Sequence, residues 1–361
     1  MTGLKKLDLY ITKKFMSTFF ISLVLIIGIV IIFDISEKID EFVSNNATLH
    51  QVIFDYYVYF VPYFINMFSP LFVFLTVIFF TSRLAANSEI IAILSCGISY
   101  RRLMRPYLVS AFFIAMLSLI LNLYVIPGAN KERLAFENKY VKNVQTTVRN
   151  VHYQIAPGEF VYVESFSPWN NTAYRMTIET IENNRIVSKL SCESAAWDSL
   201  SGSWKLKKYF IRDYSEGLED KVVTGASKDT VIALTKLDFY RNQQTVQTLP
   251  YGQLQGLIAT QKMRGDSNVM YAQIEKHTRF AMPFSAFILT IMGLALSSRK
   301  KRGGIGLNIG VGIALSFSYI LFMRFSQMFV YTGMLTPAVA LWVPNLLFAA
   351  IAAFLYKIAP K

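Results

Sequence analysis

Six runs of apolar residues, each close to the roughly 20 that a helix needs to cross a bilayer, punctuate this chain at 15–33, 57–81, 103–126, 280–298, 305–325 and 338–356. Three precede and three follow a block of ordinary soluble composition. Inside that block Glu159–Phe166, Arg175–Ile181, Arg185–Leu190 and Trp204–Ile211 alternate apolar and polar residues or concentrate β-branched and aromatic ones. Turn signals separate them at Pro157-Gly158, Pro168 to Asn171, Asn183-Asn184, Ser201-Gly202 and Glu216-Gly217. Short strands so spaced predict a sandwich or jelly-roll-like sheet. The fold class is therefore membrane α-helical, six transmembrane helices as three plus three, with an inserted all-β domain. Residues 1–126 hold the first three spans, 127–276 the β-rich domain, opening with a helical extension of the third span, and 277–361 the last three spans.

Basic residues sort to one side of these runs. Lys5, Lys6, Lys13 and Lys14 precede the first, Arg83, Arg101 and Arg102 lie between the second and third with Arg105 at the start of the third, 299–302 lie between the fourth and fifth, and Lys357 and Lys361 after the last. The other short loops are nearly free of them: 34–51 has one Lys against four acids, and 325–337 has no charge. The positive-inside rule places both termini in the cytoplasm and the central domain outside, in a multi-pass protein of the inner membrane. The first run follows basic residues as a secretory signal would, but it lacks a small-residue cleavage site and ends in Phe33-Asp34-Ile35, so it predicts an uncleaved helix. A net charge of +13 then belongs mainly to cytoplasmic flanks and not to a nucleic-acid face. Cys96 and Cys192 fall on opposite sides of the membrane and cannot pair within one chain.

Catalytic chemistry is missing from the pattern. There is no phosphate-loop motif, no H-E-x-x-H and no Cys/His metal spacing, and His50, His152 and His277 are far apart in sequence. Gly97-Ile98-Ser99 matches part of a serine-nucleophile motif, yet no His lies in a position to act as its base. The expectation is no catalytic residue, no metal site and no cofactor on this chain. No ionisable residue falls near mid-span, where a gradient-driven carrier needs one; Asp34 and Arg324 fall at the outer ends of their runs. Energy is expected from a partner ATPase.

The loop between the second and third runs carries a candidate for that contact. Ser88 suits an N-cap, Glu89 puts negative charge on the first turn, Ile90, Ile91, Ile93 and Leu94 make an apolar stripe, and Gly97 suits a terminator. A two-turn helix of this kind either lies on the membrane with Arg101 and Arg102 on lipid phosphates or fits a groove of a nucleotide-binding subunit. Gly303 and Gly304 just before the fifth run and Gly306, Gly310 and Gly312 within it give a smooth face, either for static packing or for a separable gate. Tyr56, Tyr57, Tyr59 and Tyr63 around the start of the second run read as an interfacial belt. Phe160, Tyr162, Phe166, Trp197, Trp204 and Tyr209 serve either as core of the β domain or as a greasy groove.

Taken in order and spacing, Leu7-Asp-Leu-Tyr-Ile11, Ser88-Glu-Ile-Ile-Ala-Ile-Leu-Ser-Cys-Gly97, Pro127 and Met282-Pro283 resemble the LptF/LptG permease family over the full length, the amino-terminal pattern leaning toward LptG. The resemblance implies a transport subunit of the lipopolysaccharide exporter, without catalysis of its own. A second LptF/LptG chain, or a second copy of this one, would complete a membrane cavity. An LptB-type ATPase dimer would bind ATP and Mg, an LptC-type single-helix anchor would sit beside a lateral gate, and a periplasmic bridge would take the lipid onward. By motif match Ser88, Glu89 and Gly97, with Ile90, Ile93 and Leu94, would form the ATPase contact. Gly306, Gly310 and Gly312 would line the gate. LptG relatives carry basic residues at the outer end of the first helix, whereas this chain has Asp34 there with Lys38 one turn on; Lys38 and Arg324 are the candidates for a lipid-phosphate rim. Two rivals stand beside this reading. A lipoprotein-releasing exporter has relatives with four spans, against six here, and a membrane scaffold or sensor is disfavoured by the lack of a cytoplasmic signalling domain.

Overall fold

The computed structural model describes residues 6–141, 148–167, 169–199, 201–214, 220–234, 236–239, 243–266, 268–298 and 304–359. Lys5, the basic run 299–302, Gly303, Lys361, Pro168 and Glu216-Gly217 lie outside the described residues. The helices are α1 (Lys6–Ser44), α2 (Leu49–Ala86), the short α3 (Glu89–Ser95), α4 (Tyr100–Tyr140), α5 (Tyr251–Met263), α6 (Val269–Ser297), α7 (Gly304–Tyr331) and α8 (Pro337–Ile358). All but α3 and α5 are long and apolar enough to cross a membrane, six in number among the described residues. Two single helical turns, Lys236–Phe239 and Gln243–Val246, precede α5. By contact the chain forms two compact units, one of residues 1–141, 247–251 and 273–361, the other of 142–246 and 252–272.

The helical unit is assembled from narrow seams. On α1 the buried residues Ile11, Phe15, Phe19 and Leu23 recur every four positions, one stripe of the helix, and most of its remaining apolar residues stay exposed. Lipid is as apolar as leucine, so such seams are held by close packing and by polar groups that bond across helices. Asn66 accepts from Ser118 at 2.6 Å and donates to Asn122 at 2.9 Å, joining α2 to α4. Asn308 of α7 donates to Ser82 of α2 at 3.0 Å. Asn345 of α8 accepts from Tyr319 and donates to the Ala281 carbonyl, both at 2.8 Å. Each such bond is worth about 0.6–1.7 kcal/mol in a bilayer. The third span does continue past its proline: α4 widens into a π turn at Leu121–Val125 immediately before Pro127, which lacks an N–H and crowds the preceding turn, and then runs on to Tyr140.

The second unit is built on one antiparallel sheet of six strands in sequence order: β1 (Val148–Ala156), β2 (Glu159–Ser167), β3 (Thr172–Glu182), β4 (Arg185–Asp198), β5 (Ser203–Asp213) and β6 (Lys221–Thr230). Gly158 at φ 81°, Asn183 and Asn184 at φ 50° and 62°, and Gly202 at φ 63° make the tight turns, the left-handed conformations that Gly and Asn adopt most readily. Trp204, fully buried, donates its indole N–H to the Leu234 carbonyl at 2.7 Å, and Phe166 stacks on Phe239 at 4.4 Å between ring centres.

A crease crosses this sheet. In all five pairings the same rung is left out of the ladder, at Asn150, Glu164, Arg175, Glu193, Lys208 and Ala226, while the register on either side is unchanged. Asn150, Arg175 and Lys208, on alternate strands, have φ of 52°, 49° and 49°. Because side chains alternate along a strand, residues three apart should face opposite ways. Across the crease they do not: Val163 and Phe166, Ala173 and Met176, Cys192 and Ala195 are all buried in one core. Left-handed backbone at a non-glycine residue costs on the order of 1–3 kcal/mol, and continuous burial on both sides of the fold line is what offsets it.

Cys192 sits in that core and burial pushes its thiol up to about 11, whereas Cys96 is exposed. The thiolate is the reactive form. At neutral pH a maleimide is therefore expected to modify Cys96 and spare Cys192 in the folded, detergent-solubilised chain, with Cys192 reacting only after denaturation. Equal labelling of both would contradict the sheet core.

Candidate functional site

Three regions of the helical unit carry the residues singled out in the sequence, and a fourth emerges only in the fold. The first is α3. Seven residues long, it ends as expected, with Gly97 at φ 80° and its N–H on the Leu94 carbonyl at 3.0 Å. Its start differs from expectation: Ser88 holds the N-cap position at φ 61° and its hydroxyl makes no capping bond. Asn87 donates to the Glu89 carboxylate at 3.2 Å instead. The apolar residues divide by face. Ile90 is 1% exposed and packs inward with Ile93 and Leu94, while Ile91 is 54% exposed. A helix seated by Ile90 presents Glu89, Ile91, Ala92 and Ser95 outward, an amphipathic ridge anchored to the bundle.

What holds this ridge in place is an ion pair. Arg102, three residues after the Ser99 cap of α4, grips Asp8 of α1 through both nitrogens, Nη1 to Oδ1 at 2.7 Å and Nη2 to Oδ2 at 2.5 Å. The forked geometry fixes angle as well as distance. Asp8 is 5% exposed, which gives the polar position of the Leu7-Asp-Leu-Tyr-Ile11 pattern its physical meaning. Tyr100 adds a bond to Ser298 at 3.3 Å, so the loop bearing α3 is tied to α1 and to the end of α6.

At the other end of α1 the structure gathers charges. Lys38 donates to Asp34 at 2.5 Å and to the Tyr56 hydroxyl, and stands 4.0 Å from Glu137. Tyr57 donates to Asp34 at 3.1 Å, and Arg133 donates to Glu137 at 3.2 Å. Side-chain exposures of 11% for Asp34, 17% for Lys38 and 6% for Glu137 make this a closed network joining α1, α2 and α4. Lys38 is thus engaged by the acid four residues before it, and Tyr56 and Tyr57 turn inward to the network where an interfacial belt would have them face lipid. Phe42, Phe60 and Phe136 pack around Tyr56.

The third region is α7. Gly306 and Gly310 are exposed, with open space where a Cβ would stand. Gly312 lies on another side of the helix, against α2, where a Cβ would overlap Ile78. The three glycines therefore divide into an open pair and a packed one. Beside them, Thr18, Ile21 and Ser22 of α1, Phe72, Leu75, Thr76 and Phe79 of α2 and Ile309 of α7 line a largely apolar cavity of about 390 Å³. Arg324 is exposed, and α7 continues about two turns beyond it to Tyr331.

The fourth region was not legible from the apolar windows. Arg279 lies one residue ahead of the fourth run, yet inside α6 it is 1% exposed, donates Nε to Glu275 at 2.8 Å, and finds no partner for either Nη atom among the described residues. The spacing Glu275-x-x-x-Arg279, one helical turn on an entering helix, is the signal that finds it. Among the described residues no cluster of metal-ligating side chains occurs.

The family model described as lipopolysaccharide export system permease LptF/LptG matches residues 9–358 of the chain. No curated protein matches it.

Proposed function

The chain belongs to the lipopolysaccharide export system permease LptF/LptG family, and from that premise we propose that it is one half of an ATP-driven exporter that draws lipopolysaccharide or lipooligosaccharide out of the bacterial inner membrane. The observation that carries the reading is the extent of the match, 9–358, which takes in α3, the inserted sheet and all six spans together. A cytoplasmic ATPase dimer of LptB type would bind ATP and Mg and push on α3, whose outward ridge of Glu89, Ile91 and Ser95 is held by Ile90 and by the Asp8–Arg102 fork. Movement there passes directly into α1 and α4, the helices the fork joins.

The lipid's chemistry requires the remainder. Exposing one CH₂ to water costs about 0.8 kcal/mol, so a single 14-carbon chain costs roughly 10 kcal/mol. Several chains cannot cross an aqueous gap unaided. The apolar cavity between α1, α2 and α7 supports a lipid-facing role for these helices, and the open Gly306–Gly310 face would meet the first helix of a second LptF/LptG chain as a lateral gate, next to an LptC-type anchor. Residues 127–276 would form the periplasmic domain that hands lipid to the bridge. Of the two rim candidates, Arg324 is the one whose charge is presented outward; Lys38 is held by Asp34 and Tyr56.

Native mass spectrometry of the complex released gently from its own membrane tests this. The expected spectrum holds two permease chains, two ATPase subunits and a lipid A-bearing glycolipid. A chain found without an ATPase, or carrying only phospholipid, would overturn the reading.

A further inference from the structure

On the face of the sheet opposite the Trp204 core, two neighbouring rungs of cross-strand partners and the end of α5 enclose a cavity of about 730 Å³. One rung runs His152, Tyr162, Thr177; the next runs Gln154, Phe160, Glu179, Lys189. The His152 and Tyr162 rings lie together at 4.5 Å, and Phe160 is 40% exposed beside them. Lys189 donates to Glu179 at 2.7 Å with both side chains about one-third exposed. Arg264 forms a wall, its guanidinium occupied by Asp238 and the Ala233 carbonyl and its own carbonyl taken by the Gln154 N–H.

We propose that this pocket is a saccharide-binding site that takes the sugar portion of the exported glycolipid, an inference that rests on the glycolipid reading above. The volume is that of a small-ligand cleft. Its composition fits sugars better than acyl chains. A pyranose presents a C–H face, weakly positive, that lies on the negative face of an aromatic ring, and it presents vicinal hydroxyls at the edge. Glu179 and Lys189 stand one rung from the rings, able to accept from one hydroxyl and donate to another through charge-assisted bonds. An acyl chain in the same place would strip water from that ion pair and return nothing. A peptide adding to the sheet would need a free strand edge, whereas this pocket lies on the face, over β1 to β4. The glycolipid would then be held at its sugar end by the outer face of the sheet.

The test uses the full chain in detergent and, as probe, the lipid-free oligosaccharide released from the organism's own glycolipid by mild acid. Saturation-transfer NMR is expected to show transfer from protein to sugar ring protons. Tyr162→Ala and Glu179→Gln should each weaken binding at least tenfold without moving the thermal midpoint, since neither side chain is in the core and the Gln variant keeps its shape. Transfer that survives both substitutions would overturn the site. The same sample is read for co-purified glycolipid: glycolipid retained with no oligosaccharide transfer overturns this inference alone, and absence of both overturns the export reading with it.

Discussion

Changing Glu89 to lysine is expected to abolish ATP-coupled transport while leaving the chain folded. Glu89 is the first residue of α3, half-buried, with Asn87 on its carboxylate at 3.2 Å. Its favourable placement at a helix N-terminus is worth about 0.3–1 kcal/mol, so reversal perturbs α3 mildly, and Ile90 still seats the helix in the core. An ATPase docked on α3, as proposed, would feel the change far more. Losing one member of an interfacial charge pair costs about 2–5 kcal/mol, and about 1.4 kcal/mol is tenfold in affinity, so roughly a three-hundredfold loss of coupling is the central expectation. Transport into a soluble acceptor and permease-stimulated ATP hydrolysis are the two rates to follow, with circular dichroism as the control for fold. Normal transport by Glu89→Lys would remove α3 from the coupling role.

Lys38→Met should destabilise the helical unit by roughly 3 kcal/mol, near the lower end of what an uncompensated buried charge costs. The substitution leaves the carboxylates of Asp34 and Glu137, 11% and 6% exposed, without the ammonium between them. Arg133 continues to answer Glu137 at 3.2 Å, so the burden falls on Asp34. The double variant Asp34→Asn, Lys38→Met is accordingly expected to recover most of the loss. A phosphate-binding lysine predicts another pattern: glycolipid affinity falls, the unfolding midpoint stays, and the second substitution rescues nothing. Thermal unfolding and glycolipid retention measured on all three proteins separate the two roles.

The fold is legible in the sequence where one physical rule dominates a long window. Six spans follow from hydropathy alone, and β2 to β5 from alternation with Gly or Asn turns. β1 and β6 are not legible, for different reasons. β1 follows the charged third-span extension in sequence, and its Val151, Tyr153 and Ile155 alternate over too few residues to stand out. β6, Lys221–Thr230, is an edge strand with almost no buried side chain and so has little apolar signature to display. Within the site, Gly97 could be placed because a helix terminator has a local requirement. The Asp34–Lys38–Tyr56–Glu137 network could not: its members are up to about a hundred positions apart, and only the meeting of α1, α2 and α4 brings them together. Composition groups Gly312 with Gly306 and Gly310, but two positions along a helix is about 200° around it, which sends Gly312 to another neighbour.

The crease in the sheet also constrains how this gene can change. An ordinary antiparallel sheet tolerates a slip of two residues, because every side chain returns to its own face. Here such a slip would carry Arg175 or Lys208 off the shared rung, set a left-handed residue against regular ladder, and break the inversion of facing at the same time in both neighbours. Length changes inside any strand are therefore expected to be purged, and insertions to accumulate in the hairpin tips such as Asn183-Asn184 and Ser201-Gly202, so that a comparison of homologous genes should show six rigid blocks aligned on one column each.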